Sequence, residues 1–293
     1  MKQLLIISGK GGTGKTMLSG CLAVLAKDKV MVDADVDAAN LHLILKPKVK
    51  ETHEFVGGKI ARIDEDVCTK CGSCKEVCRF GAISEDLQVI SVLCEGCTIC
   101  SYFCDTGALV LEDRISGVYY ISETRYGTFV HARLGIAQEN SGKLVAKLRE
   151  VAKELAKSQN KELIVIDGPP GVGCPVMASM SGVDLVIGIT EPTLSGMHDL
   201  QRVIELCKHF KVELKVVINK FDLNLGMSEE MEKKLKEQGI QVIGKIPFSE
   251  AVVESVKLGK PFLEYFQETS KGKEVESEIK KIWESVRASL GVH

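Results

Sequence analysis

The stretch SGKGGTGKTM, residues 8–17, leaves this chain few folds to choose from. Residues 9–16 follow the pattern G-x-x-x-x-G-K-T. Its glycines let backbone N–H groups close around phosphate, and a helix starting near Gly14 turns its positive end to the same point. Such a loop works between a buried strand and a helix. QLLIIS, just before it, is a short apolar run suited to a buried parallel strand. Met17, Leu18, Cys21, Leu22 and Leu25 then recur at helical spacing, and VMVDAD reads as a second buried strand ending in carboxylates. In this βαβ start, Gly9, Gly11, Gly12, Thr13 and Gly14 supply the loop backbone, Lys15 is placed for the β- and γ-phosphates, and the Thr16 hydroxyl for Mg2+. Lys10 is extra: a loop of this kind does not itself need it.

The βα rhythm breaks near residue 47. From there to about 115 the chain is rich in cysteine, and short elements are expected. Residues 116–135 alternate like strands, and residues 142–158 form a charged amphipathic helix. Ser141 is expected as a cap in ENSGKL, residues 139–144. Buried strands then return in ELIVID, LVIGIT, LKVVIN and QVIGKIP, with helices between them. A last helix, about 273–290, places Val275, Ile279, Ile282, Val286 and Leu290 on one face. Its acidic and basic residues are balanced, so it is expected to pack on the domain rather than lie on a membrane. The pattern predicts a doubly wound, mostly parallel α/β sheet over residues 1–55 and 116–293, with an α+β insertion over 56–115.

Eight of the 11 cysteines fall in that insertion. Cys68, Cys71, Cys74 and Cys78 repeat, 26 residues on, as Cys94, Cys97, Cys100 and Cys104, and the following Gly81, Ala82 and Ile83 repeat as Gly107, Ala108 and Leu109. C-x2-C-x2-C-x3-C is the bacterial ferredoxin pattern, in which the fourth cysteine ligates the other cluster. One 4Fe–4S cluster is therefore assigned to Cys68, Cys71, Cys74 and Cys104, the second to Cys94, Cys97, Cys100 and Cys78. Arg79 and Asp105 stand where that pattern usually has proline. Zinc is the rival reading, but its motifs pair two C-x2-C knuckles rather than tripling them. The six histidines show no pairing that suggests metal. Cys21, Cys174 and Cys207 lie apart.

K-G-G-T-G-K-T resembles the deviant phosphate loop of the MinD/ParA/Mrp ATPases and the nitrogenase iron protein. The resemblance implies a nucleotide-dependent homodimer in which Lys10 crosses to the phosphates bound by the neighbouring subunit. VDADVDAANL is similar to the group's switch I strand end, which implies that Asp35 serves the attacking water and Asp33 the magnesium shell; Asp37 has no assigned role. LIVIDGPPGVG is similar to switch II, with Asp167 holding Mg2+. VVINK is similar to the adenine-reading strand end, which implies base contact by Asn219 with Pro247 nearby; Asn219 as a capping residue is the other reading. Cys174 lies near the spacing of a cluster-ligating cysteine in the nitrogenase protein; a small buried residue is its alternative. These matches cover roughly residues 1–45 and 142–260.

The expected function is a Mg2+-dependent ATPase that couples ATP to iron–sulfur electron transfer or to assembly of an iron–sulfur or other metallocofactor, with an unidentified protein of that kind as partner. A dimerisation switch with structural clusters and a cobyrinic acid a,c-diamide synthase-like ligase are the alternatives, the ligase lacking room for its usual amidotransferase domain. A net charge of −2 and only 5% aromatic residues argue against nucleic acid. With no long apolar run, a cytoplasmic protein is expected.

Overall fold

Alternation in the first strand explains the layering. β1 (Lys2–Ser8) buries every residue after its first. Leu4 and Ile6 join the core beneath α1 (Lys15–Leu25), while Leu5 and Ile7, fully buried as well, point to the opposite face. A strand buried on both faces belongs inside a parallel sheet covered by helices on each side. The computed structural model describes residues 1–135 and 141–292; the expected helix start at 139–144 lies partly outside the described residues.

β2 (Lys29–Asp33) and a five-residue helix, α2 (Leu41–Leu45), complete the opening βαβ turn. Next come β3 (Lys48–Ile63), the single turns α3 (Ser73–Glu76) and α4 (Ile99–Tyr102), β4 (Leu109–Thr124) and β5 (Gly127–Leu134). The βα units resume with α5 (Ser141–Ser158), β6 (Leu163–Pro170), α6 (Cys174–Met180), β7 (Leu185–Thr190), α7 (Leu194–Phe210) and β8 (Glu213–Asn219). α8 (Leu225–Glu237), β9 (Gln241–Ile246), α9 (Glu250–Lys257), α10 (Phe262–Thr269) and α11 (Lys273–Leu290) close the chain. The sheet order is β3-β4-β5-β2-β6-β1-β7-β8-β9, and the pairings from β5 to β9 along that order are parallel. Val275, Ile279, Ile282, Val286 and Leu290 of α11 all enter the core with β1 and α1, as its apolar face predicted.

Where short elements are expected, β3 runs for 16 residues, and β4 begins at Leu109, before the strands expected over 116–135. The sequence hides β3: most of it is exposed, so KVKETHEF lacks the apolar alternation that marks a half-buried strand.

The chain divides into two compact units. The first holds residues 1–52, 119–133 and the chain from Ser141 on; the second holds His53–Val118 with Leu134 and Gly135. β3 and β4 each begin in one unit and end in the other. Within the second, the repeat is structural as well as sequential. α3 and α4 are 26 residues apart at both ends, and Gly81 and Gly107 share a left-handed backbone. Its core is small: Ala61, Ala82, Ile83 and Leu109 pack with Cys74 and Cys94.

Candidate functional site

The loop after β1 turns into α1 at Gly14, whose φ of 95° suits glycine. A Cβ there would sit 2.3 Å from Asn219 Nδ2. Asn219, at the end of β8, donates that nitrogen to the Thr13 carbonyl at 2.8 Å, and its Oδ1 accepts from the Lys220 amide. Asn219 thus braces the phosphate loop across the sheet. Pro247 lines a cavity whose other walls include Phe221, Lys245 and Lys281.

Lys15, the first residue of α1, is buried among carboxylates. Its Nζ lies 3.1 Å from Asp167 Oδ1 and 3.4 Å from Asp35 Oδ2. Burial works to lower its pKa, but Asp167, Asp35 and Asp33 together outweigh it and hold the ammonium above its ordinary value. Parallel pairing explains the convergence: Asp33 at the end of β2 is the register partner of Asp167 in β6. Asp33 is fully buried, its oxygens accepting the amides of Asp35 and Leu41. Burial, then the charge of Asp167, pushes its carboxyl well above the usual range. Asp35 is raised too, first by burial, with Lys15 opposing.

Ser19 was not singled out from the sequence. Four residues after Lys15, it faces the same side of α1, and its hydroxyl lies 2.9 Å from Asp167 Oδ1. Lys15 and Ser19 therefore occupy one oxygen of Asp167, while the buried Oδ2 has no hydrogen-bond partner. The Thr13 hydroxyl is likewise buried and unpartnered. Three carboxylates against one lysine, with an orphaned carboxylate oxygen, form a donor set suited to a hard divalent cation. Thr16 is half-buried as the second residue of α1; Asp37 is exposed.

Lys10 sits elsewhere in the loop. Its Nζ lies 3.1 Å from Ser195 Oγ, 3.4 Å from Thr193 Oγ1 and 3.9 Å from Glu191 Oε2. Glu191 is shared, its other oxygen meeting Lys220 at 2.5 Å. Cys174, the first residue of α6, is exposed, not the small buried residue of its alternative reading.

The cysteines of the second unit line two cavities. Cavity A, about 340 Å3, is lined by Cys68, Cys71, Cys74 and Cys104; cavity B, about 390 Å3, by Cys78, Cys94, Cys97 and Cys100. Each takes three cysteines from one repeat and the fourth from the other. Among the described residues, no three His, Cys, Asp or Glu side chains close on a single point that could hold one metal ion; the thiols ring voids instead.

Residues 4–262 match the family model of the CobQ/CobB/MinD/ParA nucleotide binding domain. An uncharacterized protein of Methanocaldococcus jannaschii is 40% identical over 226 residues, 76% of this chain and 79% of that protein. The septum site-determining protein MinD of Bacillus subtilis is 22% identical over 267 residues, 88% of this chain and 80% of that protein. Among solved structures, MinD of Pyrococcus horikoshii in complex with Mg-ADP aligns over 97% of this chain and 95% of its own, with a TM-score of 0.60 and 18% identity. The fold is thus the mostly parallel α/β fold of a phosphate-loop NTPase, like that of MinD. Among the described residues, no helix is long and apolar enough to cross a membrane. By its phosphate loop, its strand-end carboxylates and this match over most of its length, the chain belongs to the CobQ/CobB/MinD/ParA nucleotide-binding family and is an ATPase of the MinD/ParA type.

Proposed function

We propose that the protein is a dimeric, Mg2+-dependent ATPase whose inserted ferredoxin-like domain, residues 56–115, carries two 4Fe–4S clusters. Its nucleotide state then governs electron transfer, or assembly of an iron–sulfur or other metallocofactor, with a partner protein of that chemistry. The observation that carries the iron–sulfur part is the crossed grouping of thiols, three from one repeat and one from the other around each cavity, which is the ligand pattern of two-cluster ferredoxins. Four thiolates around a void suit a cubane of several atoms better than a single zinc ion.

In the ATPase unit, bound Mg2+ supplies charge neutralisation for the phosphates. Asp167 Oδ2 and the Thr16 hydroxyl would hold it, with Asp33 fixing the strand end beside them. Lys15 exchanges its carboxylates for β- and γ-phosphate oxygens, which frees Asp35 to orient the attacking water and accept its proton. The loop amides from Gly9 to Gly14 cradle the phosphates. Asn219 and Pro247 border the base. Lys10 leaves its loop partners to stabilise charge on the nucleotide of a second copy. MinD from Pyrococcus horikoshii, solved with Mg-ADP, supports the nucleotide and the metal.

Anaerobic purification followed by iron and sulfide counting and EPR, with and without ATP, tests the whole. About eight irons per chain, four for each cubane, and a reversible signal that changes with nucleotide are expected. A chain that binds and hydrolyses ATP but holds no iron would reduce the reading to its ATPase half.

A further inference from the structure

The 26-residue repeat allows the two cavities to be compared position by position, and they are not equivalent. In cavity A, Ser73 Oγ lies 3.4 Å from Cys71 Sγ, and Thr106 Oγ1 lies 3.6 Å from Cys104 Sγ. Shifted by one repeat, the same two positions in cavity B are Ile99 and Phe80. Neither has a donor. Thr98, the hydroxyl residue that lines cavity B, stands where cavity A has Gly72. Among the described residues, its hydroxyl makes no hydrogen bond to sulfur.

Other influences are closer to balance. Backbone amides reach sulfur in both cavities, among them Lys70 N–H to Cys68 at 3.4 Å and Ala82 N–H to Cys78 at 3.3 Å. Arg79 follows a cavity B cysteine and Asp105 a cavity A cysteine, which opposes the hydroxyls, but both are exposed and their charge is screened by water.

We propose that the two cysteine quartets hold their clusters at unequal potential, with Ser73 and Thr106 making cavity A the site where an electron comes to rest. This rests on the iron–sulfur reading above. Reduction adds negative charge that is shared with the ligating sulfurs. A donor bonded to sulfur stabilises that state more than the oxidised one, so the potential rises. A hydrogen bond to a charged acceptor is roughly twice as strong as a neutral one, which is why two hydroxyls outweigh two screened surface charges. An electron supplied to cavity B by an external low-potential one-electron donor then passes to cavity A. B is oxidised by one electron and A reduced by one, with no bond made and no proton moved. Cavity B is the entry side and cavity A the store.

The test is an anaerobic EPR redox titration of the whole iron-loaded protein. Ser73→Ala with Thr106→Val should shift the equilibrium of one electron between the sites at least tenfold toward cavity B. Tenfold is 59 mV for one electron. The higher midpoint should fall and the lower stay. The reciprocal pair, Phe80→Thr with Ile99→Ser, should raise the lower midpoint and leave the higher. A protein with its full iron whose two midpoints coincide, stay unmoved, or move in the opposite assignment overturns this inference and leaves the cluster reading intact. A protein that holds no iron overturns both.

Discussion

Asp167→Asn separates two roles that one carboxylate could play. Breaking a buried ion pair usually costs about 3–5 kcal/mol, because it strands the remaining charge. Here Lys15 is not stranded: Asp35 remains 3.4 Å away. Asparagine also keeps an oxygen for Ser19 and Lys15. Against the loss stands a gain, since the charge of Asp167 is among the causes that raise both Asp33 and Asp35. The two effects oppose, so the nucleotide-free variant should unfold within about 1–2 kcal/mol of the native protein. Ligand binding should differ sharply. At 100 times its dissociation constant a ligand adds about 2.7 kcal/mol of stability, roughly 5–10 °C of midpoint for a domain of this size. Native protein should show that rise with Mg·ADP, and Asp167→Asn should lose most of it. Thermal unfolding with and without Mg·ADP reads both numbers. A nucleotide-free variant destabilised by more than about 3 kcal/mol would make Asp167 a structural partner of Lys15. A variant that keeps the full magnesium-dependent rise would remove Asp167 from the metal site.

Lys10→Ala should lower ATP turnover by about 10³-fold while leaving nucleotide binding measurable by equilibrium titration; turnover at the native rate would refute the role in trans. His131 has its ring buried against Phe129 and Tyr120, with Ser122 Oγ 2.9 Å from Nε2, and burial, then His42, lowers its pKa to about 4. The unfolded chain binds the proton more readily, so this group's contribution is complete above about pH 6.5 and is lost as pH falls toward 4. His131→Phe with Ser122→Ala should flatten that acid limb by a few kcal/mol, on the order of 1.4 per pKa unit, in urea midpoints measured from pH 4 to 7; an unchanged slope would show that His131 is not what titrates.

The parts of this molecule that local chemistry dictates were legible in the chain. A loop that must lie between a strand and a helix announces both, and strands buried on two faces read as apolar runs, so β1, β2, β6, β7 and β8 stand where the sequence predicts strands. The thiols around each cavity are grouped as the C-x2-C-x2-C-x3-C pattern leads one to expect, three from one repeat and one from the other. What stayed hidden depends on partners far along the chain. Asn219 reaches a carbonyl 206 residues away, and no period or spacing encodes that. Arg149 is a second case: a buried guanidinium with no carboxylate partner among the described residues, it bonds Gln3 Oε1 and the Ala178 carbonyl and so ties α5 to β1 and α6. From its helix alone it reads as one more surface charge.

Lys10 shows how the hidden contacts refine the legible ones. Its position after Gly9 implies a use outside its own loop, yet the chain gives it local partners, Ser195, Thr193 and Glu191. The strength of that attachment decides whether the two facts conflict. Its side chain is about one third exposed, and the ion pair spans 3.9 Å to a carboxylate already engaged by Lys220. Pairs of that kind are worth about 0–1 kcal/mol, whereas a cation facing transferring phosphate can supply about 4 kcal/mol, the equivalent of 10³ in rate. On the proposed reading, a contact that weak would not hold Lys10 against a nucleotide on a second copy. It would keep the ammonium beside the loop until such a copy docks, lowering the ordering cost that a free lysine side chain would add.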